Sequence, residues 1–230
     1  MGFIYPKEVP KVYWSPIYLS LKVAFYSTMI TAIIGTLLGW MLARSDFVGK
    51  NILSAIITLP MVLPPTVLGY YLLLSVGKHS LIGRFLQETF NISLVFTWQG
   101  AVLASIIVSL PLMVRAVQSS IENIDQNLEN VARTLGKSEL IIFFKITLPL
   151  SWKGIVVGVV LSFARAIGEF GATLMVAGNI PGKTQTLSIA IYDAVQGGNY
   201  QLANFLVILI SGISIFSLVL LNQFLDLKKW

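Results

Sequence analysis

Four stretches of this chain run for more than twenty residues without a charged side chain: Val23–Ala43, Ile52–Val76, Thr89–Val114 and Gln201–Phe224. A fifth, Gly154–Gly178, is interrupted only by Arg165 and Glu169. A hydrocarbon layer about 30 Å thick is crossed by about 20 helical residues, so each run is long enough to span a bilayer. Transmembrane β-strands would be about 10 residues long with alternating polarity, a pattern these runs lack. The expected fold is an all-α integral membrane protein, a five-helix transmembrane bundle in a single domain over residues 1–230. The spans are expected near 17–43, 52–76, 92–114, 154–178 and 201–224.

Composition supports this reading. Lys and Arg number 16 and Asp and Glu 10, only 11% of the 230 residues, against roughly 25% in soluble domains. The mean hydropathy is +0.81. The net charge of +6 is not gathered into a basic stripe that would read as a nucleic-acid surface; excess Lys/Arg in cytoplasmic loops produces the same sign. There is no cysteine, and His79 is the sole histidine, so neither a thiolate nor a His-pair metal site is expected. The first run exceeds a signal-peptide core and lacks a small-residue cleavage site after it, so it reads as a retained helix.

Five spans place the termini on opposite sides. With the N-terminus outside, Arg44, Lys50, Arg115, Arg133, Lys137, Lys145, Lys153, Lys228 and Lys229 fall inside, and Lys7, Lys11, Lys22, Lys78, Arg84 and Lys183 fall outside. Nine against six favours N-out and C-in.

The interval 115–153 is the longest between spans. Leu128, Val131, Ala132 and Leu135 follow the i, i+3, i+4, i+7 spacing of one helical face. Asp125 suits an N-cap, and Gly136 suits the left-handed residue that ends a helix. A second short helix is expected from Ser138, broken by Pro149. Two short helices hinged at a glycine need a partner surface, either interfacial lipid or a cytosolic protein.

Gly136, nine intervening residues and then Ile146-Thr147-Leu148-Pro149, with Glu129-Asn130-Val131-Ala132-Arg133-Thr134-Leu135 ahead of it, resembles the motif of ABC importer permease subunits. Asn130 stands where that motif often has an acid, and Val131 replaces its first alanine. Leu59–Tyr70, Ser109–Ala116, Phe163–Ala172 and Gly178–Thr184 are similar to stretches of the molybdate permeases in that family. Sulfate and thiosulfate permeases share part of the pattern.

The resemblance implies a type I importer permease fold in the bacterial cytoplasmic membrane, with no catalytic residue and no metal. It implies a homodimer, two cytoplasmic ATP-binding subunits that hold ATP and Mg, and a periplasmic or lipid-anchored molybdate-binding protein; no nucleic acid is implied. The contact to the ATP-binding subunit would involve Leu128, Glu129, Val131, Ala132, Arg133, Leu135, Gly136, Ile146, Leu148 and Pro149. Pathway or gating candidates, chosen because prolines favour kinks and because charges are costly in a membrane, are Pro64, Pro65, Pro111, Arg115, Arg165 and Glu169, with Pro60 a further kink. Arg165 and Glu169, at i and i+4, are expected to pair.

Ala177–Thr184 superficially suggests a phosphate-binding loop, but it has Ala177 where glycine is needed and follows an apolar span rather than a strand. A stand-alone secondary transporter or channel is the alternative class. Such proteins usually carry several intramembrane ion sites, whereas Glu169 is the one acid within these spans. A membrane enzyme lacks a nucleophile paired with a base.

Overall fold

In a computed structural model the described residues are 11–226, with side chains described from Trp14 to Gln223. Lys7, Lys228 and Lys229 of the charge count, and the Lys11 side chain, lie outside the described residues. The apolar runs become helices. In chain order they are α1 (Lys11–Arg44), α2 (Lys50–Val62), α3 (Pro65–Val76), α4 (Leu81–Phe90), α5 (Trp98–Glu122), α6 (Gln126–Thr134), α7 (Glu139–Ile142), a π-helical turn (Phe143–Thr147), α8 (Leu148–Leu150), α9 (Trp152–Ile167), α10 (Gly171–Ala177), α11 (Leu187–Gln196) and α12 (Tyr200–Asp226).

Trp14–Arg44, Trp98–Glu122 and Tyr200–Gln223 are each long and apolar enough to cross a membrane alone. Two further pairs qualify only when joined across a bend: α2 with α3 at 118°, and Glu139–Leu150 with α9 at 73°. The stretch 52–76 is therefore not one straight helix, and 154–178 is divided at residues 168–170. The third expected span, α5, begins at Trp98 rather than near residue 92. Phe96 takes a left-handed φ of 60°, its N–H donates to the Val176 carbonyl at 3.0 Å, and Thr97 caps the helix by accepting from the Gly100 N–H. Once started, α5 runs past Val114 to Glu122. The amphipathic α4 lies in what reads as a plain loop; Ser80 caps it by accepting from the Gly83 N–H at 2.8 Å.

The core is built on α5. Its apolar window is 67% buried, against 11% for α12, whose apolar side chains face outward as expected of a lipid-facing helix. Met113, Val117 and Ile121 on α5 pack against Ala32, Trp40 and Ala43 of α1 and Ile155 and Val159 of α9. The approach is close because α1 presents Gly35 and Gly39. A Cβ at Gly39 would stand 2.9 Å from the Val117 side chain and 3.0 Å from the Val114 carbonyl. Small residues allow such packing between membrane helices, where water supplies no hydrophobic drive.

Gly39→Leu is expected to separate α1 from α5 at an overpacking cost of about 1–3 kcal/mol, read as a lower thermal midpoint of the purified protein. Gly212→Ala should not lower that midpoint, because nothing lies within 4 Å of the added carbon and alanine favours the helix over glycine.

Candidate functional site

Two regions bring the candidate residues together. The first is the segment from Asp125 to Ser151. Asp125 caps α6, its Oδ1 accepting from the Asn127 N–H at 2.9 Å. Gly136 has φ +73°, and the helix end is closed by Lys137 N–H donating to the Ala132 carbonyl at 3.1 Å, a glycine-dependent stop. Ser138 occupies the cap position of α7 but its side chain makes no capping bond.

The face that α6 buries differs from the face its apolar spacing suggests. Ala132 is buried, but its companion is Glu129, only 1% exposed. Leu128, Val131 and Leu135 are 50%, 59% and 72% exposed. The cause is electrostatic. Glu129 turns toward the bundle to meet Arg44, the last residue of α1, with Nε 2.8 Å from Oε2. This is an ion pair without hydrogen-bond alignment of that N–H. Arg44 Nη2 also donates to the Ile124 carbonyl at 3.2 Å. Thr147 Oγ1 donates to Glu129 Oε1 at 2.7 Å, and Arg133 Nη2 stands 3.8 Å from Oε2. A buried carboxylate is tolerable only when paired and hydrogen-bonded in this way. Nothing local in the sequence predicts this contact, because Arg44 is remote in the chain.

Turning α6 this way leaves Leu128, Val131, Leu135, Leu140, Ile141 and Phe144 exposed on α6, α7 and the π-turn. Arg133 braces the two helices across Gly136, donating to Glu139 through Nε (2.6 Å) and Nη2 (3.1 Å) and to Asn130 Oδ1 through Nη1 (2.7 Å). Those hydrogen bonds hold the Glu139 carboxyl below the usual carboxylate range and push the Arg133 guanidinium further up.

Pro149 does not break the second helix. The chain stays helical through Leu150, and the 73° bend falls at Ser151. In a regular α-helix the proline ring would clash with the carbonyl four residues back, that of Lys145. The wider π-turn over Phe143–Thr147, where Leu148 N–H donates to the Phe143 carbonyl, accommodates it. Ile146 and Leu148 are half-buried and Pro149 is exposed.

The second region is where the broken helices meet. Leu63 is extended (φ −73°, ψ 142°) ahead of Pro64, as a residue before proline prefers, and Pro65 opens α3. Opposite them, Gly171 begins α10 so close that a Cβ would stand 2.9 Å from Pro65 Cβ. Further along, a Cβ on Gly69 would meet Met175 at 2.6 Å. Arg165 and Glu169 do pair, Nη1 to Oε2 at 2.8 Å. They do so across the end of α9 rather than within one helix, since α9 ends at Ile167. Glu169 is buried, and its Oε1 accepts the Ala172 N–H of α10 at 2.8 Å, satisfying a free helix-terminal donor.

The other prolines do not interrupt their helices: α2 continues through Pro60 and α5 through buried Pro111. Arg115 is not in this region. It links α5 to α2, Nη2 donating to Ser54 Oγ at 3.1 Å. Gly178–Thr184 forms a turn closed by the Ile180 N–H donating to Thr184 Oγ1 at 3.1 Å, and His79 is exposed.

A bundle of apolar spans with two bent pairs thus carries an exposed apolar ledge at one end. The model of the family described as binding-protein-dependent transport system inner membrane component matches residues 35–228. The chain belongs to that family and is a multi-pass inner-membrane protein. It is 48% identical over 182 residues to the molybdenum transport system permease protein ModB of Haemophilus influenzae, covering 79% of this chain and 80% of that one. It is 43% identical over 211 residues to a putative molybdenum transport system permease of Bacillus subtilis, covering 92% and 93%. A sulfate transport permease of Salmonella typhimurium is 35% identical over 204 residues, covering 89% and 73%. Among solved structures, the permease fold is shared with the inward-facing MetNI methionine ABC transporter (TM-score 0.73, 17% identity, 96% and 98% covered). It is also shared with an alginate-importing bacterial ABC transporter (TM-score 0.78, 14% identity, 96% and 81% covered).

Because the Glu139 pKa is depressed in the folded protein, its pairing with Arg133 contributes fully above the unfolded value of about 4.3 and is lost as pH falls through the folded value. Glu139 is 57% exposed, so the contribution is below about 1 kcal/mol. Proteolysis at Lys137 is expected to accelerate on acidification below about pH 4, and Glu139→Gln should abolish that acid step.

Proposed function

We propose that this chain is the permease subunit of an ABC importer for molybdate, working as a homodimer above two ATP-binding subunits. A separate molybdate-binding protein delivers the anion from the outer side. The N-terminus lies outside and the C-terminus in the cytoplasm, the orientation favoured by the Lys/Arg distribution. This puts α6–α8 on the cytoplasmic side. The observation that carries the reading is the exposed apolar face of Leu128, Val131, Leu135, Leu140, Ile141 and Phe144 on a rigidly capped and braced pair of helices. A solvent-facing patch of this kind fits a protein groove. Its support is stiff enough to convey a displacement into α9.

The pathway in this reading runs beside the junction of Pro64–Pro65 with Gly168–Gly171. Irregular backbone at membrane depth is tolerated only where protein covers it or where it lines a water-filled cavity. The Glu169 carboxylate would repel a dianion, but Arg165 and the α10 N–H neutralise it, which assigns the pair to holding the break in shape. High-affinity selection falls to the binding protein, because the spans carry no cluster of basic side chains. ATP is hydrolysed on the partner subunit, and this chain converts that event into movement. The molybdenum-transport relatives, more similar than the sulfate-transport ones, support molybdate as cargo.

Radiolabelled molybdate uptake in cells lacking this chain, restored by its expression, tests the reading. Excess tungstate should compete strongly and sulfate weakly; strong competition by sulfate would move the assignment to the sulfate carriers. Leu128→Glu with Val131→Glu should leave the membrane yield unchanged. It should weaken capture of the ATP-binding subunit by about tenfold or more, since each apolar side chain contributes roughly 1.5–3 kcal/mol when buried. Co-purification on a tagged permease measures this.

A further inference from the structure

We propose that Glu129 and Arg44 are positioning residues that lock α6 to the cytoplasmic end of α1, so that the two move as one body during transport. The inference rests on the reading of α6 as the contact to an ATP-binding subunit.

The two oxygens of Glu129 serve different elements. Oε1 takes the Thr147 hydroxyl of the π-turn, and Oε2 faces the Arg44 guanidinium that ends α1. The same guanidinium reaches the Ile124 carbonyl ahead of α6. One buried carboxylate therefore joins α1, the entry to α6, α6 itself and the π-turn. Both side chains are enclosed, 1% exposed for Glu129 and 8% for Arg44.

Apart from this link, α6–α8 meets α1 where Phe143 of the π-turn packs on Trp40, ring centroids 4.6 Å apart, an apolar contact that can slide, and at the α9 end the attachment is a 73° bend at Ser151. A lever held at such a bend can pivot, and a push on α6 would be spent in rotation about Ser151. The clamp adds a directional point of attachment at α6 itself. Because α1 is wedged against α5 at Gly35 and Gly39, the push then also enters the bundle through α1. A buried ion pair is weak evidence for stability, since apolar residues hold surfaces together as well. What this arrangement adds is direction: two oxygens and several fixed donors allow one relative placement of α6 and α1.

The test uses the assembled importer in proteoliposomes. Glu129→Gln keeps the shape and removes the charge. The anions moved per ATP hydrolysed should fall by about 2- to 30-fold, over and above any loss of stability or ATPase that leaving the Arg44 guanidinium unpaired causes. Equal loss of stability and ATPase with unchanged stoichiometry, or no change at all, overturns the clamp. Should that variant fail to assemble, the measurement moves to the unsubstituted clamp. The chain has no cysteine, so spin labels at Ser45→Cys and Asn127→Cys, in one permease copy of an importer whose ATP-binding subunits are cysteine-free, report the α1–α6 distance. The same distance distribution in nucleotide-free and ATP-trapped complexes supports the clamp, and a distribution that shifts with nucleotide overturns it. An unsubstituted permease that captures no ATPase would instead overturn the parent reading, and the clamp with it.

Discussion

A backbone N–H or C=O left without a partner in hydrocarbon costs several kcal/mol, and the architecture follows from where the chain can meet that demand. The apolar runs meet it as helices. Where helix is interrupted near the middle of the bundle, substitutes are at hand: Glu169 accepts the Ala172 N–H at the start of α10, and Pro64 and Pro65 carry no N–H to satisfy. Gly171 and Gly69 let α3 and α10 pack against each other where two side chains would collide. The breaks are thus built into the fold and placed together.

At the end of the bundle a different demand governs. Glu129 is drawn inward by Arg44 and Thr147, and the rotation this imposes on α6 leaves its apolar side chains uncovered. Docking on the bundle by its apolar spacing alone, α6 would bury Leu128, Val131 and Leu135 and expose Glu129. The reverse arrangement leaves a face suited to another protein. The caps at Asp125 and Gly136 and the Arg133–Glu139 brace make that face a fixed shape, so binding need not first order it. The surface proposed to receive the ATP-binding subunit and the ion pair proposed to anchor it are two consequences of the same rotation.

The sequence by itself determined the helical membrane class, because only helices satisfy the backbone within runs that long. It also determined the two short helices joined at Gly136, whose signals are local: a capping aspartate, a glycine that tolerates positive φ, and a 3.6-residue period. The motif around Glu129–Pro149 made the family legible as well. Tertiary structure decided which face of α6 is buried, since that depends on Arg44, brought near only by the packing of α1. It decided that the break falls at Pro64 and Gly168–Phe170 rather than at Pro60 or Pro111, and that the helix passes through Pro149 to bend at Ser151. A proline removes one donor wherever it stands. Whether the helix then bends depends on what neighbouring helices or a π-turn offer in compensation, and the linear sequence does not contain those neighbours.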